Sequence, residues 1–222
     1  MKGKRELPDF CKPLELYSYA CSPEEWIEAI PDQSQKKVDI IERYGLKQFT
    51  EICKGFGIKQ YNIIGSAAAS LIDPTGIGDP EDIDIYFTNY EDYLKISDID
   101  DFEKHGNHIQ LMGSKGKYIQ IASSPLFHKN SKEVMDTFDF TICMAAIEVY
   151  LSKKELEYKF VFHENTMEDL ENKWLTINSL PNPGASCYRM AKYIARGYII
   201  SQEDAQILVK AVKLERAHNK LG

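Results

Sequence analysis

The segment Glu81-Asp82-Ile83-Asp84-Ile85-Tyr86-Phe87 constrains this 222-residue chain more than any other stretch. Alternation with period two is the signature of a β-strand, in which successive side chains point to opposite faces. Ile83, Ile85 and Phe87 then form one strongly apolar face that must pack on a core, and Asp82 and Asp84 share the other. Two like charges so close are costly to bury without something positive between them. Their spacing suits a divalent cation that bridges phosphate oxygens. A solvated strand face is the plainer alternative, and the apolar partner face argues against it. Asp139 is a third candidate carboxylate. It stands between Phe138 and Phe140 in "FDFTI", where an aspartate needs a metal, a cation or a backbone cap.

Around this strand the chain alternates strand and helix patterns. "SQKKVDIIERYGLKQFTEICKGFG" predicts a helix broken at Gly45, with Val38, Ile41, Tyr44, Phe49 and Ile52 inward. "KQYNIIG" predicts a short strand, and "SAAASLI" a small-residue turn entering a helix. "NYEDYLKI" predicts a helix capped by Asn89. "NHIQLMG" and "KYIQIASS" predict two alternating strands joined by "SKGK". "KEVMDT" reads as a short helix, "FDFTICMAAIEVYL" as one long central strand, and "KFVFH" as a further strand. After that the pattern is helical throughout, in "TMEDLENKWLTI", "GASCYRMAKYIARGY" and "QEDAQILVKAVKLERAH". The expected organisation is an irregular N-terminal cap over residues 1–33, a mixed α/β part over 34–163 and a small all-helical part over 164–222, an α+β chain.

Composition narrows the function classes. The five cysteines are scattered, which excludes a disulfide framework and a zinc knuckle. No apolar run approaches the roughly 20 residues that span a bilayer, and "MKGKRELPDF" lacks a secretory h-region, so a cytoplasmic location is expected. His105 and His108 in "HGNH" lack a second ligand pair nearby in the sequence and are a poor metal site. The net charge of −7 argues against a large nucleic-acid footprint. The charge is uneven: residues 74–103 hold ten acids and one lysine, and residues 189–222 hold seven bases and three acids. An acidic middle and a basic end can serve one site, the first holding cations and the second phosphates, or they can be two solvated faces.

These residues resemble a known family. "GS", a gap, then "DIDIYF" resembles the signature of the nucleotidyltransferase superfamily that includes DNA polymerase β and the poly(A) polymerases. "FDFTICMAAI" is similar to the "RRDFTINA" segment of class II tRNA nucleotidyltransferases (the CCA-adding enzymes) and bacterial poly(A) polymerases. "TMEDLENKWL" is similar to their "GxEDLxxKxL", and "RMAKYIARGY" after "NP" to their "RxxRFAxRLGF" after "DP". The matches run in order over about residues 60 to 200, the length of a head and neck. The departures are specific. "GSAAAS" stands for "GGxVRD", Thr137 and Phe138 stand for two arginines, and Cys143 stands for an asparagine. The nucleotide-selecting "EDxxR" has no counterpart, because Glu203-Asp204 is followed by Ala-Gln-Ile. The family's tRNA-gripping body and tail domains have no matching sequence here.

The resemblance implies a mixed-sheet nucleotidyltransferase head followed by a helical neck, and a Mg²⁺-dependent transfer of a nucleoside monophosphate from an NTP to a hydroxyl. Asp82 and Asp84 would hold the metal, with Asp139 as a third ligand or an anchor behind the site. Gly65 and Ser66 would cradle the β- and γ-phosphates through backbone N–H groups and the hydroxyl. Arg189, Lys192 and Arg196, at helical spacings of three and four, share one face and would contact phosphates. An RNA 3′ end is the first acceptor to consider. A protein or small-molecule acceptor, a degenerate nucleotide-binding module and a phosphohydrolase are the other readings, the last weakened by the lack of histidine ligands near the pair.

Overall fold

The computed structural model describes residues 26–29, 40–72, 77–105, 108–113, 115–122, 130–152 and 156–218. Most of the expected N-terminal cap, the helix start before residue 40 with Val38, and Ser114 of the "SKGK" turn lie outside the described residues. The architecture is α+β. Eight strands form one mixed sheet: β1 (Trp26–Ala29), β2 (Gln60–Ile64), β3 (Asp82–Tyr86), β4 (Glu103–His105), β5 (His108–Met112), β6 (Tyr118–Ala122), β7 (Ala145–Leu151) and β8 (Leu156–His163). Their order is β1-β8-β7-β2-β3-β6-β5-β4, with β3 and β6 the parallel neighbours and every other pair antiparallel. Trp26–Ala29, expected to be irregular, instead pairs along β8 as an edge strand.

One face of the sheet carries the main core. Ile63, Ile83, Ile85, Ile119, Ile121, Ile109 and Ile147 project from it, all buried. The helices α1 (Ile40–Tyr44), α2 (Lys47–Gly55) and α3 (Ser66–Ile72) contribute Tyr44, Phe49 and Ala67–Ala69 to the same cluster. The expected break at Gly45 is present. Gly45 takes φ +68°, and the Leu46 N–H reaches back to Ile41 O at 2.8 Å, a left-handed helix stop that glycine enters without steric cost. Ile41, Tyr44 and Phe49 are buried as expected, and Ile52 packs against the core partly buried.

Among the described residues, the opposite face is covered only in part. There α5 (Ser131–Met135) sets Val134 and Met135 against Ile64, Tyr86, Ala146 and Val161. Beside it a polar group is satisfied internally: Ser131 Oγ and the Tyr150 hydroxyl donate to the two oxygens of the buried Glu148, at 2.7 and 2.6 Å. Helix α4 (Tyr90–Ser97) begins at Asn89, whose side chain accepts from Glu91 N, as its sequence predicts.

A further expectation fails. The run from Phe138 to Leu151 is not a single strand. Residues Thr141–Cys143 form a 3₁₀ turn, and β7 begins only at Ala145. Asp139 therefore lies on the segment leading into that turn and not on a central strand. The cause is distant in sequence. Helix α6 (Glu164–Asn172) presents Asp169, which accepts a short hydrogen bond from the Thr141 hydroxyl, and Thr166, whose hydroxyl donates to Thr141 O and Met144 O at 2.9 and 3.2 Å. These bonds favour the tight turn over an extended ladder. Past α6, Lys173 takes a left-handed cap at φ 59°, and the chain runs extended through Trp174 to Ile177, so "KWLTI" is not helical. Two further helices follow, α7 (Pro183–Ala195) and α8 (Gln202–His218), packed on each other.

Candidate active site

The site forms where β2 and β3 run side by side. Register pairs Ile64 with Asp84, so the carboxylate stands across from the last residue of β2 and next to Gly65. Asp82 and Asp84 share the face opposite the isoleucine core. Both are half-buried. Burial, with the Asp82 charge second, pushes the Asp84 carboxyl up to about 7, while Arg189 and Lys192 pull the other way. Two carboxylates and two cations are thus within electrostatic reach of each other.

Gly65 takes φ +71°, and a Cβ there would lie 3.8 Å from Asp84 Oδ2 and 3.7 Å from the Phe138 ring, so the bare backbone lies directly against the carboxylate. Its N–H, expected to face a phosphate, donates instead to Ala145 O at 3.0 Å and is consumed by the sheet. Ser66 opens α3 and is half-buried.

The three bases expected on one face are brought together beside β3, and each has an acidic partner. Arg189 Nε donates to Asp139 Oδ2 at 2.5 Å. Lys192 and Arg196 both reach Glu81, at 3.2 and 3.3 Å, and Arg196 also donates to Ile77 O at 3.1 Å. Glu81, adjacent to the aspartate pair in sequence, was not among the expected site residues. Asp139 is buried and braced. Asn178 N donates to its carbonyl at 2.8 Å, and Asn178 and Ser179 side chains bond Phe138 O. Cys143, also unanticipated, lies within 3.0 Å of the buried Tyr193 hydroxyl, and burial raises its thiol to about 12, so it is a packing thiol and not a nucleophile. Among the described residues no group of three or more His, Cys, Asp or Glu is gathered to hold a metal ion. His105 and His108 face each other across β4 and β5 with rings stacked at 5.5 Å, and His105 pairs with Glu103.

A sequence profile of the Gabija anti-defense 2 family matches residues 35–173. The chain belongs to the Gabija anti-defense 2 family. Among curated proteins no match is found. Among solved structures, this family member is similar to the Thermotoga maritima CCA-adding enzyme complexed with tRNA, at 18% identity and TM-score 0.58, covering 84% of this chain and 46% of that one. It is also similar to a CCA-adding enzyme with ATP, at 19% identity and TM-score 0.58, over 86% and 47% of the two chains. With CTP the figures are 21%, 0.57, 80% and 46%. These likenesses show a nucleotidyltransferase-like fold. The chain spans about half the length of the enzymes it matches.

Proposed function

We propose that this member of the Gabija anti-defense 2 family is a Mg²⁺-dependent nucleotidyltransferase, moving a nucleoside monophosphate from an NTP to an acceptor hydroxyl, with an RNA 3′ end as the first acceptor. The observation that carries the reading is the same-facing Asp82–Asp84 pair, set against the bare backbone of Gly65 and within the field of Arg189 and Lys192. The donor set fits the ion. Magnesium favours hard oxygen ligands, commonly one or two carboxylates completed by substrate phosphates. The raised proton affinity of Asp84 marks a place where added positive charge is favourable. When bound, Mg²⁺ lowers the pKa of an attacking hydroxyl and stabilises departing pyrophosphate.

The chain's own groups do the positioning. Asp139 serves as an anchor, one of its oxygens being held by Arg189 Nε. That bond uses one of the five N–H donors of the guanidinium and fixes its plane, leaving the terminal nitrogens for a phosphate. Lys192 adds a second charge, tethered by Glu81.

Incubation with each α-labelled NTP, Mg²⁺ and mixed small RNA tests the reading. Label on RNA that is lost in Asp82→Ala/Asp84→Ala supports it. Absence of both labelled product and NTP binding overturns it. The family's description as anti-defence supports a second reading, in which the acceptor is a protein of the Gabija defence. The same assay, with such a protein present, then puts the label on polypeptide.

A further inference from the structure

The strands beyond β3 carry a surface that the catalytic reading leaves unused. In β6 and β5, register places Tyr118 beside Asp82 and Met112 beside Tyr118, forming one row across the sheet. The next row on the same face runs Asp84, Gln120, Gln110. The alternate residues Ile83, Ile119, Ile121, Ile109 and Leu111 are buried in the core, which fixes the orientation of both rows. Tyr118 is 42% exposed and Met112 48%, an aromatic and a thioether presented to solvent. Two half-buried amides lie one row behind them.

We propose that this platform takes the unpaired terminal base of a single-stranded nucleic-acid acceptor. The inference rests on the nucleotidyltransferase reading above. Its position follows from where Arg189 stands relative to Asp84. Arg189 pairs with Asp139 on the side of β3 that holds Gly65 and Phe138, while Lys192 and Arg196 reach Glu81 immediately before β3. With Arg189 and the bare Gly65 backbone there, a triphosphate is drawn to the Gly65 side. In nucleotidyl transfer the attacking and leaving oxygens lie roughly in line through the phosphorus. The attacking hydroxyl therefore enters from the other side of β3, which is the side of β6 and β5. A base entering there meets the Tyr118 ring as a stacking surface, with Met112 extending it, as single strands do on aromatic platforms. The amides of Gln120 and Gln110 can both donate and accept, which suits the hydrogen-bonding edge of an unpaired base. Lys115, exposed in the turn between β5 and β6, supplies a charge for the phosphate on the 5′ side of that base. A double helix does not fit the reading, since its bases are already paired and stacked.

Binding of a fluorescein-labelled RNA 8-mer and of Mg²⁺–ATP, each measured separately by fluorescence and calorimetry on the whole chain, tests the inference. Tyr118→Ala is expected to weaken RNA binding roughly tenfold, Tyr118→Phe to restore it, and both to leave Mg²⁺–ATP affinity within about twofold. Gln120→Ala is expected to weaken RNA binding several-fold. RNA affinity unchanged in Tyr118→Ala, while wild type binds RNA, overturns the platform. So does a wild type that binds Mg²⁺–ATP and labels a protein but takes no RNA, and in that case the nucleotidyltransferase reading stands. A wild type that binds no Mg²⁺–ATP removes that reading and the platform together.

Discussion

The Asp84 carboxyl has its proton affinity raised from an ordinary 3.8 to about 7, because burial and the Asp82 charge both disfavour its ionised form. Between these two values the folded chain holds a proton that the unfolded chain has released. Stability therefore falls as pH rises through that window, and the loss is complete above about 7. Asp84→Asn removes the titration, so the variant is expected to melt several degrees above wild type at pH 8 and level with it near pH 4. Thermal melts at both values check this, and equal melting points at pH 8 would show that the carboxyl is not destabilising. At pH 8 added Mg²⁺ is expected to raise the melting point of wild type and not of Asp84→Asn. The pair Arg189–Asp139 stabilises the fold. Asp139 is buried with its carboxylate on the guanidinium, so Arg189→Ala strands a charge and is expected to cost about 2 kcal/mol. The double variant Arg189→Ala/Asp139→Asn should recover most of that loss in urea unfolding.

At the scale of elements, what the sequence makes legible is local. Alternation in "DIDIYF", "NHIQLM" and "KYIQIA" predicts β3, β5 and β6, because each strand has one face on the core and the pattern itself records it. Gly45 as a helix stop and Asn89 as a cap are legible for the same reason: the residue that causes the feature sits at the feature. The turn at Thr141–Cys143 is not legible, since a β-branched, aromatic run looks like a strand and the bonds that curl it come from Thr166 and Asp169. The motif likenesses at "DFT" and "EDL" thus meet in space as one structural latch. Burial pushes the Asp169 carboxyl up, and the Thr141 hydroxyl holds it down. Asp169→Ala removes the latch and leaves the Thr141 hydroxyl buried, at an expected cost of about 2 kcal/mol by urea unfolding. Asp169→Asn, which keeps an acceptor, is expected to cost about half as much. Equal costs for the two variants would mean that the bond contributes nothing beyond packing.

Across the whole molecule, the sequence shows an acidic middle and a basic end, and the structure joins them. Helix spacing correctly puts Arg189, Lys192 and Arg196 on one face. Their partners could not be seen, because pairing over fifty to more than a hundred residues leaves no mark on local spacing. Glu81 holds both Lys192 and Arg196, yet it is 68% exposed, so the pairs contribute little to stability, about 0.5 kcal/mol each or less. Their effect falls on the site's charge. Glu81 puts a negative group on two cations, one residue from Asp82. Glu81→Gln removes that charge without changing side-chain length and leaves both bases to face a polyanion. Mg²⁺–NTP affinity is then expected to rise a few-fold at low ionic strength, with a steeper decline as salt is added, while the unfolding free energy moves by less than about 1 kcal/mol. Titration calorimetry at 50 and 300 mM salt separates the outcomes. A gain at low salt that disappears at high salt identifies Lys192 and Arg196 as phosphate-facing groups restrained by Glu81. An affinity that falls in Glu81→Gln at both salts means that Glu81 positions the two bases, and that α7 must be held against β3 for the site to bind at all.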